Sequence, residues 1–171
     1  NVSSLVAPAY IAGRVKVENF IKGGAIDPFR TYRMLSSPVY DNSGSLILAN
    51  TEGNRSAKFS QLIDDMILSG STGVAGGFDA TPFAQPSAWT FNNAFVPLTN
   101  INTSVNAGKG MYVFFRGNRD NFTGKTVVPF VPVEDTVIDF DGVLNQGDIT
   151  VSLNHTPNGA FNLVGNPYAA T

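Results

Sequence analysis

Few side chains in this sequence could take part in catalysis. Cysteine is absent, and the single histidine, His155, comes just before a turn-forming segment at 156–159. The lack of cysteine excludes disulfides, zinc–thiolate sites and thiol catalysis. No G-x-S-x-G elbow, H-x-x-x-H pair or P-loop accompanies His155. We therefore interpret His155 as a solvent-exposed turn residue.

Pairs of neighbouring carboxylates are the remaining candidates for acid–base chemistry, because a glycosidase needs two carboxyl groups flanking the scissile bond. We expect Asp64 and Asp65 to lie on the solvated side of a helix. The other two pairs supply the candidates for a hydrolase, namely Glu134, Asp139 and Asp141. The three pairs are Asp64/Asp65, Glu134/Asp135 and Asp139/Asp141.

Calcium is the only metal that the pattern of oxygen ligands indicates. Asp139 and Asp141 lie two residues apart on one predicted strand face, where they could bind calcium together with a backbone carbonyl. Asn118, Asp120 and Asn121 form a second candidate in a loop next to Gly117. An ordinary polar strand face or loop is the simpler interpretation of both, and no other cofactor is indicated.

Three aromatic residues are candidate ligand contacts. Trp89, Tyr112 and Tyr168 could stack on sugar rings if they formed an exposed platform. Aromatic side chains also dominate cores and protein interfaces, so burial is the alternative for each of them.

The composition predicts one globular domain over residues 1–171. Hydrophobic residues make up 43% of the chain and charged residues only 14%, so the polar surface must consist largely of uncharged groups. The net charge is −2, and no basic run is present. Binding to nucleic acid or anionic lipid therefore lacks its main driving force. No apolar stretch is long enough to span a membrane.

One short helix is predicted over residues 58–68. Its apolar side chains recur at helical spacing, with Ser56 as the N-cap and Gly70 as the stop. A helix this short must dock on a sheet. The apolar face consists of Phe59, Leu62, Ile63, Met66 and Ile67.

The rest of the chain reads as short strands separated by turns. We expect an alternating strand around Val15 and Val17, and a central strand at Met111–Phe115 that is covered on both faces. Proline residues make 126–131 an edge or bulged strand. This pattern favours a mainly-β fold, an antiparallel β-sandwich of jelly-roll type with the one docked helix.

The C-terminal third shows the most regular alternation. Thr136, Ile138 and Phe140 share a face of one strand, and we expect that strand to end at Asp141-Gly142. Alternating residues over 149–153 and 161–163, joined by the turn signal Asn158-Gly159, predict a hairpin.

Five phrases occur in a fixed order along nearly the whole chain, from about residue 14 to residue 171. They are VKVENFI (15–21), YRMLSSPV (32–39), GFDAT (77–81), GKGMYVFFRGNR (108–119) and FNLVGNPY (161–168). Together they resemble a domain that recurs in very large exported proteins of Bacteroidetes, often upstream of a C-terminal sorting domain for type IX secretion. This sequence departs from the family pattern at Asn19-Phe20, where Arg-Tyr is usual, and at Asn118, where Asp is usual.

The resemblance implies a β-sandwich module in an extracellular or cell-surface protein that is exported across the outer membrane, such as an adhesin or a gliding-motility filament. It carries no catalytic residues. In the family a further apolar segment follows the GNPY phrase, so we expect this chain to be a piece of a longer polypeptide, with residues 1–13 as a lead-in segment.

We therefore expect a non-catalytic structural or adhesive module that contacts other domains of the same protein or neighbouring copies. The alternative is a carbohydrate-binding module with glycans as ligands, and the third hypothesis is the glycosidase described above. Asp135-Thr136-Val137 also matches the pattern used for O-glycosylation in Bacteroidetes, which makes Thr136 a candidate acceptor.

Overall fold

The computed structural model describes residues 9–24, 30–49, 51–155 and 159–169. Those residues form nine strands in antiparallel sheets, together with short helical turns. The prediction of a mainly-β antiparallel sandwich is confirmed, and its jelly-roll connectivity stays a prediction. Of the lead-in 1–13, only residues 9–13 belong to the described part.

A three-stranded sheet forms one layer, in the order β1-β9-β3. Its strands are β1 (Arg14–Ile21), β9 (Thr136–Leu144) and β3 (Val39–Tyr40). The predicted alternation in β1 is confirmed, since Val15 and Val17 are half-buried between exposed neighbours. β9 presents Thr136, Ile138 and Phe140 to the interior, also as predicted.

The prediction that Asp141-Gly142 ends this strand is wrong. β9 continues to Leu144 and pairs there with β3. The backbone oxygen of Tyr40 lies where a side chain on residue 142 would begin, so the absence of a Cβ at Gly142 allows the two strands to approach.

A four-stranded sheet forms the second layer, in the order β2-β8-β5-β6. Its strands are β2 (Thr31–Leu35), β8 (Met111–Phe115), β5 (Ala88–Phe91) and β6 (Phe95–Pro97). β8 is central, as predicted, but it is not covered on both faces. Met111, Val113 and Phe115 are fully buried, whereas the alternate residues are only partly buried.

A third, two-stranded sheet pairs β4 (Ser56–Lys58) with β7 (Ser104–Asn106). This pairing explains why the predicted helix over 58–68 is reduced to a single 3₁₀ turn at Phe59–Leu62. Ser56, the expected N-cap, lies in β4, and no side chain caps the turn.

Two side chains of the predicted helix bond to strand β9 instead. Asp65 accepts a hydrogen bond from the backbone N–H of Asp139 at 2.6 Å, and the Gln61 side chain accepts one from Asp141 at 3.1 Å. The two side chains thus bond to backbone N–H groups of β9 that lie beyond the point where its partner strand β3 ends. The apolar face of the segment is nevertheless buried, as expected.

The edge strand predicted over 126–131 is also wrong. A short helix, α1 (Phe122–Thr126), occupies its first residue, and the chain then continues without pairing through the cis peptide bond Val128-Pro129. Asn121 caps α1 by accepting a hydrogen bond from Gly124 N–H at 3.2 Å.

The predicted C-terminal hairpin does not form a ladder in the described residues. Residues 149–155 and 159–163 form no strand, although the side chain of Asn162 bonds to the backbone N–H and C=O of Asn154 at 2.8 and 3.0 Å. An asparagine side chain therefore aligns the two arms. Asn158 of the predicted turn lies outside the described residues.

The core fills the space between the layers. Fully buried side chains include Phe59, Leu62, Met66, Met111, Val113, Phe115, Ile138 and Phe140. No helix in the described part of the chain has the length and apolar character needed to cross a membrane.

Candidate functional site

The outer face of the four-stranded sheet is lined with aromatic side chains, and we call it the aromatic face. Side chains alternate along a strand, so every second residue of β2, β8, β5 and β6 projects to this side. The aligned registers place these residues in neighbouring rows. The aromatic face consists of Tyr32, Met34, Trp89, Phe91, Phe95, Tyr112 and Phe114.

Tyr112 on the central strand organises the aromatic face. Its ring stacks on Tyr32 with centroids 4.8 Å apart and an interplanar angle of 4°. Its other neighbour is Phe95, at 4.2 Å and 28°. Trp89 lies opposite Tyr112 in the register and is tilted by 57° at 5.6 Å. The three stacked rings thus form a row across the sheet.

Edge-to-face contacts extend this row at both ends. Phe114 meets Tyr32 at 5.1 Å and 65°, and Phe91 meets Phe95 at 5.1 Å and 74°. Pairs of this kind contribute about 0.5–1.5 kcal/mol beyond the area they bury. The residues therefore hold one another in place, and the aromatic face is an ordered surface.

The aromatic face remains open to solvent. Tyr32 is 47% exposed, Phe95 45% and Met34 66%. Tyr112 is stacked on both sides and presents mostly its edge to solvent, whereas Tyr32 and Phe95 each have one stacked partner. Burial, with a smaller contribution from Tyr32, raises the pKa of Tyr112, so its hydroxyl stays neutral near neutral pH.

A buried cation lies next to the aromatic face. The guanidinium of Arg116, which is only 5% exposed, lies 4.7 Å from the Phe114 ring centroid and 5.3 Å from that of Phe83. Burial, and secondarily the charge of Arg30, lowers the pKa of Arg116 to about 10. Arg116 therefore remains charged at neutral pH, and these contacts are cation–π interactions.

The structure brings two of the three predicted aromatic contacts together. Trp89 and Tyr112 both belong to the aromatic face. Tyr168 does not, because its hydroxyl donates to the backbone oxygen of Gly147 at 2.8 Å and its ring lines a separate groove near Phe20 and Leu163.

The predicted calcium ligands Asp139 and Asp141 are engaged by cations of β1. Lys16 Nζ lies 2.9 Å from Asp139 Oδ2, and Arg14 lies 2.7 Å from Asp141 Oδ1. The two carboxylates thus form separate diagonal ion pairs across the strands. No group of three or more metal-binding side chains occurs in the described ranges.

The loop candidate for calcium is likewise occupied by protein donors. Asn118 Oδ1 accepts from Asp120 N–H at 2.8 Å and from Lys125 Nζ at 2.7 Å. The side-chain oxygen of Asn121 is the cap of α1. These oxygens hold the turn together, so they are not free to converge on a metal ion.

Four further predicted positions have clear locations. Thr136 is only 4% exposed and its hydroxyl bonds to the backbone oxygen of Glu134, so the folded chain does not present it for O-glycosylation. His155 is exposed, as expected. Asp135 accepts from Gly23 N–H at 2.7 Å, and Glu134 pairs with Lys125.

Sequence reasoning missed five members of the aromatic face: Tyr32, Met34, Phe91, Phe95 and Phe114. A signal was present in two of the four strands, where aromatic residues recur two apart, as Trp89/Phe91 in β5 and Tyr112/Phe114 in β8. Comparisons with protein-family models, curated proteins and solved structures find no match to this chain.

Proposed function

We propose that this chain is a non-catalytic structural or adhesive module of an exported bacterial surface protein, and that it contacts protein through its aromatic face. The observation that carries the proposal is the continuous row of stacked, solvent-open rings on the four-stranded sheet. Large ordered apolar patches of this kind mark interaction surfaces.

The chemistry of the aromatic face favours a protein partner. None of its members carries a charge at neutral pH, and tyrosine hydroxyls supply its hydrogen-bonding groups. Aromatic side chains and methionine are enriched in protein interfaces. Tyr112, at the centre of the row, is stacked on both sides and offers only its edge, whereas a sugar needs an open ring face.

The engagement of the acidic residues supports a role without catalysis. The carboxylates proposed for a glycosidase are held by Lys16, Arg14 and Lys125. The five ordered phrases, which resemble the Bacteroidetes domain, support the exported setting at the cell surface.

A second copy of the chain is the partner we propose to test. A flat, uncharged face can be self-complementary about a two-fold axis, which is the commonest symmetry of soluble dimers. Sedimentation over a concentration series should reveal self-association of the purified chain. The double variant Tyr32→Ser/Phe95→Ser should remain monomeric, because it removes the outer rings of the stacked row.

A matched control is available away from the aromatic face. Leu153 is 60% exposed and Phe161 82%, so Leu153→Ser/Phe161→Ser removes similar exposed apolar surface. The control should associate like the unaltered chain, and circular dichroism should be the same for all three proteins. A chain that is monomeric at every concentration, or a control that also loses association, would contradict the proposal.

Carbohydrate binding is the second candidate, and Trp89 favours it. Its indole is tilted against Tyr112 and Tyr32 and is stacked parallel to neither. A glycan array probed with the chain should then give signals that Trp89→Ala abolishes and Phe161→Ala retains. Silence of the array, together with self-association, would leave the protein-contact proposal standing.

A further inference from the structure

One end of the sandwich holds a lysine, an asparagine and a glutamate in mutual contact. Lys125, in the last turn of α1, is only 2% exposed. Its Nζ lies 2.7 Å from Asn118 Oδ1 and also contacts Glu134 Oε1. Glu134 Oε1 in turn accepts a hydrogen bond from the backbone N–H of Asn118 at 3.1 Å. A nucleophile, a carboxamide and a proton carrier therefore converge.

We propose that Lys125 and Asn118 form an intramolecular isopeptide bond, with Glu134 as the proton carrier. Glu134 Oε1 contacts Lys125 Nζ, so this carboxylate is placed to accept a proton from the ammonium as the reaction begins. The free amine then lies within reach of the Asn118 carboxamide carbon, one bond away from Oδ1.

The bond forms by nucleophilic attack followed by loss of ammonia. The lone pair of Lys125 Nζ attacks Asn118 Cγ, and a C–N bond forms. Glu134 delivers the proton it has taken from Lys125 to the departing Nδ2, and the Cγ–Nδ2 bond breaks. The Glu134 carboxylate then accepts the second proton of the attacking nitrogen. One amine and one carboxamide give one secondary amide and one ammonia molecule, with no oxidant or reductant.

The surroundings suit this reaction. The Asn118 Nδ2 group donates to Asp120 Oδ2 at 3.0 Å, which orients the carboxamide. The side chain of Glu134 is 36% exposed, which leaves ammonia a route to solvent. Holding the reacting groups in contact replaces an intermolecular encounter, which is a large part of what an active site supplies.

Intact mass spectrometry of the denatured chain tests the proposal directly. The unaltered chain should weigh one ammonia less than its sequence requires, and Lys125→Met and Glu134→Gln should both have their full calculated masses. Asn118→Asp is the matched variant, because loss of water there yields the same amide. Its final mass should therefore equal that of the unaltered chain.

Trypsin provides a second measurement that does not depend on how well the variants fold. No lysine or arginine follows Lys125, so a cross-linked chain should give one branched peptide that joins 117–119 to 120–171. An unaltered chain at full mass, with 117–119 and 120–125 released as separate peptides, would overturn the proposal. Loss of ammonia that persists in Lys125→Met would also overturn it, because it would then arise from succinimide formation elsewhere.

Discussion

The two outer sheet faces of this molecule have opposite chemistry. The three-stranded sheet presents a charged face, with Arg14 and Lys16 of β1 paired diagonally to Asp141 and Asp139 of β9. The four-stranded sheet presents the aromatic face. An antiparallel sheet that faces water ordinarily alternates apolar and polar residues. The charged face follows that rule except at exposed Phe20 and Val137. The aromatic face breaks it throughout, which is why we propose that a partner covers it.

The largest effect should come from the side of the four-stranded sheet that faces the core. Phe115 is fully buried, so Phe115→Ala should lower the free energy of unfolding by about 3–5 kcal/mol in a urea titration. Phe95→Ala, on the aromatic face, loses the contacts with Tyr112 and Phe91 and should cost about 2 kcal/mol. Equal losses would show that the aromatic face contributes to the core.

A partly buried ion pair should have the next largest effect. Asp79, whose side chain is 8% exposed, binds both Nη atoms of Arg119, which also donates to the backbone oxygens of Ile63 and Met66. Asp79→Asn leaves the arginine charge unpaired, and we expect a loss of about 2–4 kcal/mol in the same titration. A loss under about 1 kcal/mol would contradict a stabilising role for this ion pair.

An ion pair on the charged face should contribute much less to the free energy of unfolding. Arg14 and Asp141 have side chains that are 49% and 54% exposed. Asp141→Asn should therefore cost less than about 1 kcal/mol, and the cost should shrink further in added salt. A loss as large as that of Asp79→Asn would remove the distinction between the two ion pairs.

The smallest effect should be on the pH dependence of stability. Burial raises the pKa of Asp65 above the ordinary aspartate value, and its hydrogen bond from Asp139 N–H offsets part of this. The folded chain then binds the proton more readily than the unfolded chain, so this residue adds stability as pH falls through the raised pKa.

Asp65→Asn should remove that contribution. At neutral pH the variant should have a higher free energy of unfolding than the unaltered chain. The difference between the two free energies should narrow in mildly acidic buffer. Urea titrations at the two pH values measure both free energies of unfolding. If the variant's stability advantage grew on acidification, the direction of the Asp65 pKa shift would be contradicted.

The fold class was predictable because alternation in β1 and β9 is a local property of the chain. The helix over 58–68 was not, because its side chains Gln61 and Asp65 bond to β9, whose open edge is invisible in a local pattern. The same holds for 149–163, where Asn162 replaces a ladder with side-chain bonds.

The candidate site was predictable only in part. Trp89 and Tyr112 could be named as single residues, but their meeting with Tyr32 and Phe95 depends on registers between strands that lie far apart in the chain. The cluster of Lys125, Asn118 and Glu134 depends on the short helix α1, which the sequence did not predict.

The pairing of β1 with β9 has a consequence for the order of events during synthesis. The contact between Arg14 and Asp141 spans 127 residues, so the three-stranded sheet cannot close until Leu144 has left the ribosome. Such distant pairings make folding slow. A nascent chain halted before β9 should therefore leave β1 unpaired and its apolar residues available to chaperones.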